Sequence, residues 1–289
     1  MPELPEVEVV RQGLAAIVPG RTIAAARVLH PRSVRRHLAG PGDFETQLAG
    51  RTIATPQRRG KFLWFPFTDG DALLTHLGMS GQFRVDTADA ALLPHTRVVL
   101  DFHGGPQLRF VDQRMFGGLW LSPGGADLPS DLAHIARDLL DPELDWTVLV
   151  KEVRRRRRAV KSVLLDQGVV SGVGNIYADE ALWRARVHPE TPADRMSAAR
   201  VRRVLEAARE VMVEALAQGG TSFDKLYVNV NGSSGYFSRS LHAYGRTDQP
   251  CDRCGTAIRR VAFTNRSSHF CPRCQRATPA RHNARVSAL

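Results

Sequence analysis

Val7, Val10, Leu14 and Ile17 recur at threes and fours, the spacing of one apolar helix face, and Pro5 suits the first turn of that helix. Beyond residue 20 the pattern changes. "TIAAARVL" (22–29), "GKFLWFPF" (60–67), "ALLTHLGMSGQFRV" (72–85), "TRVVLDF" (96–102) and "QLRFVDQRMFGGLWL" (107–121) are short runs rich in β-branched and aromatic residues, separated by turn signals. Asp69-Gly70 and Gly104-Gly105 mark hairpins. These runs predict a two-layer antiparallel sandwich. "SPGGADLPS" (122–130) is the first long polar stretch rich in Gly and Pro, and the domain boundary is placed there.

The second half reads as helical. Trp146, Leu149, Val150, Val153, Val160, Val163 and Leu164 form one stripe, and Arg157 falls on it, so that arginine is expected to snorkel or bind something. Asn175 is the predicted N-cap of "IYADEALWRAR". Ser197 is the predicted N-cap of a longer helix carrying Val201, Val204, Leu205, Ala208, Val211, Met212, Ala215 and Leu216, which Gly219 and Gly220 end. The expected fold class is α+β. A β-sandwich domain (1–130) is followed by a linker (131–145), a helical domain (146–247), a finger (248–276) and a disordered basic tail (277–289).

Charge narrows the partner. Forty Lys and Arg against 29 Asp and Glu give a net charge of +11, which attracts a polyanion such as DNA or RNA. Five arginines stand together in "KEVRRRRRAVK" (151–161). A basic start followed by a continuous apolar stretch is lacking, and no run reaches membrane-span length, so an intracellular, soluble protein is expected.

The only four cysteines, Cys251, Cys254, Cys271 and Cys274, form Cys-x2-Cys-x16-Cys-x2-Cys. Two tight Cys-x-x-Cys turns place four thiolates at the corners of a tetrahedron, which suits one zinc ion and leaves no open coordination position. The site is therefore read as structural, and no organic cofactor is expected. The 16 intervening residues suit a β-hairpin with "TNRSS" at its tip, from which Arg266 would project toward phosphate.

The first residues, "MPELPEVEVV", carry chemistry of their own. Removal of Met1 would leave Pro2 with a free secondary amine. An α-amino group has a pKa near 8, against about 10.4 for lysine, so far more of it is uncharged at neutral pH and ready to attack an aldehyde-level carbon. The positive end of the first helix would lower that pKa further. Glu3 stands beside it, able to move protons.

These pieces occur in one order with "GKF" at 60–62, "HLGMSG" at 76–81, "DQRMFG" at 112–117, "GVGNIYADEALW" at 172–183 and the terminal four-cysteine finger. Together, from residue 1 to about 276, they resemble the bacterial formamidopyrimidine-DNA glycosylase family, which excises 8-oxoguanine and ring-opened purines. The resemblance implies a helix–two-turns–helix module between sandwich and zinc finger. It implies a bifunctional enzyme: Pro2 attacks the anomeric carbon and forms a Schiff base, Glu3 protonates the opening sugar, and Lys61 assists β-elimination. Arg266 assists δ-elimination, more easily by stabilising the departing phosphate than by giving up a guanidinium proton. Glu6 supports the site. Met79, Arg114 and Phe116 match the wedge that fills the hole left by an extruded base, since glycine-flanked tips are poor places for core side chains. Asn175 begins a helix whose amides suit phosphate, and His76, His95, Arg156, Lys161 and Tyr244 are further backbone-contact candidates. Residues 219–237 resemble the family's loop over the extruded base. The implied partner is damaged double-stranded DNA, bound by a monomer in the bacterial cytoplasm and nucleoid. Two other readings stand beside this one: an endonuclease VIII-type glycosylase for oxidised pyrimidines, and a non-catalytic zinc-finger DNA-binding protein.

Overall fold

The computed structural model describes residues 2–220 and 240–277. The glycine-rich loop expected at 219–237 lies outside that range from residue 221 onward, and the basic tail from residue 278.

The first helix, α1 (Leu4–Ala15), packs against two cores at once. Val7, Val10 and Leu14 join the core of the N-terminal sandwich, whereas Leu4 belongs to the core of the helical domain. Leu4 N–H donates to Gly172 O at 3.1 Å, so the chain terminus is anchored from its first helical residue. Arg58 reinforces the seam, pairing with Glu8 of α1 at 2.9 Å and with Asp138 at 2.8 Å.

The sandwich consists of two four-stranded antiparallel sheets. One has the order β1 (Ile23–Val28), β6 (Thr96–Phe102), β7 (Gln107–Val111), β5 (Gln82–Asp86). The other runs β2 (Gln57–Arg59), β3 (Phe62–Pro66), β4 (Ala72–His76), β8 (Gly118–Ser122). Helix α2 (Pro41–Leu48) packs on β1 through Phe44 and Leu48. Ile23, Phe65, Leu73, Leu100 and Phe110 fill the space between the sheets. The stretch expected as a linker is packed rather than free. Leu132 and Ile135 cover Trp64, Leu74 and Trp120 on the outer face of the second sheet.

Two of the five strand segments read from the sequence are each two strands. "ALLTHLGMSGQFRV" leaves one sheet as β4 and enters the other as β5; "QLRFVDQRMFGGLWL" returns as β7 and β8. Apolar composition does not mark a change of sheet, but the glycines do. A Cβ on Gly78 would lie 2.4 Å from the backbone nitrogen of Gly117, so the two crossovers touch there and only glycine fits. Buried Asp112 locks them together, accepting from Ser80 Oγ and, at 2.8 Å, from Gly117 N–H.

In the helical part, the apolar stripe expected over 146–164 is two helices, α3 (Trp146–Arg155) and α4 (Val160–Leu164). Arg157 lies in the break between them and is exposed, so it has no core to snorkel through. Helices α5 (Asn175–Arg184) and α6 (Ala198–Ala217) complete the domain; Ser197 caps α6, its Oγ accepting from Arg200 N–H at 3.2 Å. The finger hairpin is β9 (Arg259–Phe263) and β10 (Arg266–Phe270), and β10 packs on α5.

Candidate active site and nucleic-acid interface

The N-terminus of α5 differs from its sequence prediction in an informative way. Asn175 is the first helical residue, and the N-cap is Gly174, which has no side chain to satisfy the amides. Glu3 caps the helix from across the domain seam. Its Oε2 accepts from Gly174 N–H at 2.7 Å and Tyr177 N–H at 3.3 Å, and its Oε1 accepts from Ile176 N–H at 2.9 Å. A Cβ at position 174 would fall 2.2 Å from the Glu3 carboxyl carbon, so a capping side chain there would exclude Glu3.

Glu3 is 2% exposed. Burial pushes its carboxyl above the usual carboxylate range, against the opposing pull of Lys61 and the α5 amides. Glu6 supports it directly: Oε2 accepts Glu3 N–H at 2.8 Å, and Oε1 accepts the Tyr177 hydroxyl at 2.7 Å. Pro2, also buried, precedes Glu3 immediately.

Lys61 follows Gly60 in the turn between β2 and β3. Its Nζ donates to Val173 O at 3.0 Å, one residue before the α5 cap. Burial depresses its pKa, Arg266 depresses it further, and Glu3 opposes both. A lysine biased toward its neutral form is suited to accept a proton. Arg266, exposed at the first position of β10, extends from the finger toward Lys61. Tyr244 lies beside Asn175 and edge-on to His269, 4.9 Å between ring centroids. Pro2, Glu3, Glu6, Lys61, Asn175, Tyr244 and Arg266 thus converge from segments spread over the whole chain.

The crossovers present a second group. Met79 (40% exposed) and Phe116 (52% exposed) are large apolar side chains left in solvent. Arg114 Nη1 lies 3.9 Å from Met79 Sδ, and Arg114 N–H donates to Ser80 Oγ at 2.9 Å. Arg35 holds the tip by donating to the carbonyls of Phe116 and Gly117. His95 borders the group, its carbonyl accepting from Asp112 N–H at 3.0 Å. Core packing does not explain three such side chains held outward by a buried carboxylate.

His76 ends β4 between the two groups, with its ring 4.8 Å from that of Phe62. Its Nδ1 accepts from Gly78 N–H at 3.0 Å, which leaves Nε2 as the donor. Burial, with Lys61, Arg36 and Arg35 nearby, lowers its pKa to about 4, so it is neutral at pH 7. A histidine depressed below its unfolded value of 6.5 binds a proton more readily in the unfolded chain. Stability should therefore be fully present above pH 6.5 and fall as pH drops from 6.5 to about 4, by up to about 3 kcal/mol. Urea titrations at both pH values should show that loss in the wild type and a smaller one in His76→Gln.

One expected contact is not at the surface. Lys161 is completely buried and cannot meet a phosphate. It pairs with Asp179 of α5 at 2.7 Å and donates to Ser267 O and Ser268 Oγ, both at 2.8 Å, fastening the hairpin to the helical domain. It was expected to contact the DNA backbone, but as the second residue of the short α4 it points inward. Arg156 is exposed, 3.6 Å from Glu152. Sequence reasoning passed over Asp179 and Glu180. Asp179 accepts from His269 N–H at 2.8 Å; Glu180 accepts the N–H groups of His242, Ala243 and Tyr244. Two adjacent acids inside the otherwise apolar "NIYADEALW" were the available signal.

The four cysteines come together as the spacing required. Their Sγ atoms all lie within 4.8 Å of one another, with Cys254 3.5 Å from both Cys271 and Cys274. These separations are far beyond a disulfide bond and near the ~3.8 Å edge of a tetrahedron with ~2.3 Å zinc–sulfur bonds. The donor set fits zinc. Among the described residues no helix is long and apolar enough to cross a membrane.

Comparison with known proteins agrees along the chain. Residues 1–119 match the formamidopyrimidine-DNA glycosylase N-terminal domain, 135–226 the formamidopyrimidine-DNA glycosylase H2TH domain, and 248–277 the zinc finger found in that enzyme and in IleRS. A formamidopyrimidine-DNA glycosylase of Nocardioides sp. is 64% identical over 292 residues, covering 100% of this chain and 99% of the relative. A Lactococcus lactis mutant glycosylase solved with Fapy-dG-containing DNA superimposes with a TM-score of 0.85 at 32% identity, over 96% of this chain and 100% of that one. A structure of MutM with carbocyclic 8-oxo-G-containing DNA gives 0.84 at 32% identity, again over 96% and 100%. The three domain matches, in the order sandwich, helical module and finger, and the full-length identity to a relative agree: this chain belongs to the formamidopyrimidine-DNA glycosylase family.

Proposed function

We propose that the protein is a base-excision DNA glycosylase for oxidised purines with an associated strand-nicking activity, and that Pro2 is its nucleophile. The observation that carries this reading is the convergence on Glu3: a buried carboxyl of raised pKa beside the terminal proline, with a lysine of depressed pKa nearby. The uncharged Pro2 nitrogen attacks C1′ of the damaged nucleotide, and the bond to the base breaks with its electron pair leaving on the base. Glu3 protonates the ring oxygen as the sugar opens, and the nitrogen loses its proton to give an iminium. Lys61 takes up the proton released in β-elimination, and Arg266 neutralises the departing phosphate. Tyr244, His76 and His95 border the path of the backbone. Asn175 contributes through its own polar groups, because Glu3 already takes the Gly174, Ile176 and Tyr177 amides that were expected to receive a phosphate. The enzyme acts as a monomer on damaged duplex DNA in the bacterial cytoplasm, at the nucleoid.

Met79, Arg114 and Phe116 keep the vacated position filled while the base is extruded, and Arg114 faces the orphaned partner base. Phe116→Ala removes a stacking surface of about 1–3 kcal/mol and should slow excision from duplex DNA by roughly 5- to 150-fold. Cleavage at a pre-formed abasic site should suffer less, because no base has to leave the stack. Lys61→Ala should show the reverse bias. Unchanged rates for Phe116→Ala in both steps would remove the wedge assignment.

Substrate preference is tested by turnover on matched duplexes bearing 8-oxoguanine, a formamidopyrimidine or an oxidised pyrimidine. Faster release of the two purine lesions is expected. Preference for the pyrimidine would place the enzyme with the endonuclease VIII type, and binding without turnover would leave only the DNA-binding reading.

A further inference from the structure

Arg184 pairs with Glu214 and Arg246 with Asp252, whereas the arginines of the finger itself have no acidic partner among the described residues. Some of these unpaired arginines gather with two from the helical domain. Arg186, Arg200, Arg273 and Arg276 line a cleft of about 400 Å³ at the outer edges of Cys254 and Cys274. None of their guanidinium groups has a hydrogen-bond or ion-pair partner among the described residues. Asp252 is the last acidic residue, and residues 253–289 contain eight arginines and no Asp or Glu.

A zinc ion held by four thiolates carries two net negative charges. Four guanidinium groups around it exceed that by two, so the cleft remains cationic with the metal bound. Arg253 adds to the excess; it donates to the carbonyls of Trp183 and Arg184 and lies over the Trp183 ring.

Arg186 carries a second observation. Val187 N–H donates to Leu182 O at 2.9 Å and Arg186 N–H to Trp183 O at 3.1 Å, closing α5 with a motif whose left-handed position favours glycine. Arg186 occupies that position at φ 56°. The fold accepts backbone strain to keep a cation at the mouth of the cleft.

The place of the cleft separates it from the reacting nucleotide. The amino end of α5 is at Glu3 and its carboxyl end at Arg186, about 15 Å away for ten residues. The hairpin likewise carries Arg266 at its tip and the cysteines at its base. Both elements lead from the reaction site to the cleft, which opens at their far ends.

We propose that this cleft is a docking site for an acidic segment of a partner protein, a run of Asp and Glu side chains received by the four arginines while DNA occupies the catalytic side. Guanidinium groups favour carboxylates through paired hydrogen bonds, and a cleft of this volume admits a few such side chains rather than a duplex.

The test uses the zinc-loaded full chain saturated with duplex bearing an abasic-site analogue, and a fluorescein-labelled peptide of alternating Asp and Glu followed by anisotropy. Salt-sensitive binding to the saturated protein is expected. Arg186→Glu with Arg273→Glu should weaken it at least tenfold, with zinc content and affinity for the duplex unchanged. Arg186→Gly, which relieves the strained position, should melt no lower than the wild type and still bind the peptide severalfold more weakly. Displacement of the peptide by duplex, or equal loss of duplex affinity in the double variant, would make the cleft a DNA contact and overturn the proposal. Peptide binding that ignores all three substitutions would overturn it equally.

Discussion

Glu3→Gln should reduce release of the damaged base by between about 100- and 10,000-fold, the range expected on loss of a positioned general acid. The side chain has two functions, and they can be separated. As a cap it accepts three backbone N–H groups at the start of α5. Glutamine keeps one acceptor oxygen but turns an NH2 group toward amides that are themselves donors, leaving at least one buried N–H without a partner. That costs roughly 1–3 kcal/mol, visible as a modest fall in melting temperature. As an acid it must hold a proton until the sugar opens, and glutamine has none to give. The wild-type rate should fall as pH rises through the raised pKa of Glu3, where the protonated form is lost. It should fall on the acid side as the Pro2 amine, which must be uncharged to attack, takes up a proton. The measurement is single-turnover base release against pH, with thermal unfolding alongside. A variant destabilised by this amount but excising at the wild-type rate would reduce Glu3 to a cap.

Removal of zinc should have the next largest effect. Binding of zinc to a four-thiolate site is worth on the order of 10 kcal/mol and drives local folding. Cys254→Ser, or a strong chelator, should unfold residues 248–277 and abolish tight DNA binding. The consequences extend beyond the finger. Unfolding β10 takes away the two hydrogen bonds that Ser267 and Ser268 accept from Lys161 and the one Asp179 receives from His269, leaving a buried ion pair short of partners. The helical domain should therefore remain folded but melt at a lower temperature, while the sandwich, which shares no core with the finger, keeps its stability. Circular dichroism with metal analysis of the purified protein checks both parts. Protein free of zinc that binds DNA normally would contradict the assignment.

Helices α1, α5 and α6, the finger and the hairpins at Asp69-Gly70 and Gly104-Gly105 were legible because each is encoded locally, by period, cap or turn, whereas α2 was not read and α3 and α4 were read as one stripe. The sheet changes were not legible. An apolar run looks the same whether it stays in one sheet or crosses, and what forces the crossing is contact between Gly78 and Gly117, distant in sequence. The same holds for the site. Pro2, Glu3 and the cysteines stand out by position or spacing, but the cap of α5 could not be read from "VGNIY", because the capping group belongs to the other end of the chain. Local preference placed it on Asn175, and a close approach of Glu3 to Gly174 decided otherwise. Lys161 was misread for a related reason: composition describes its arginine-rich neighbours, and only the register of a five-residue helix turns it inward.

The central claim is that the terminal proline joins the damaged strand through its own nitrogen. Borohydride reduction during turnover converts an iminium into a stable amine, fixing protein to DNA. Digestion and mass spectrometry of that product should place the sugar fragment on Pro2, and an extension that blocks the terminal amine should abolish the adduct while affinity for an abasic-site analogue largely persists. A sugar fragment found on Lys61, or undiminished trapping by the blocked protein, would contradict the account.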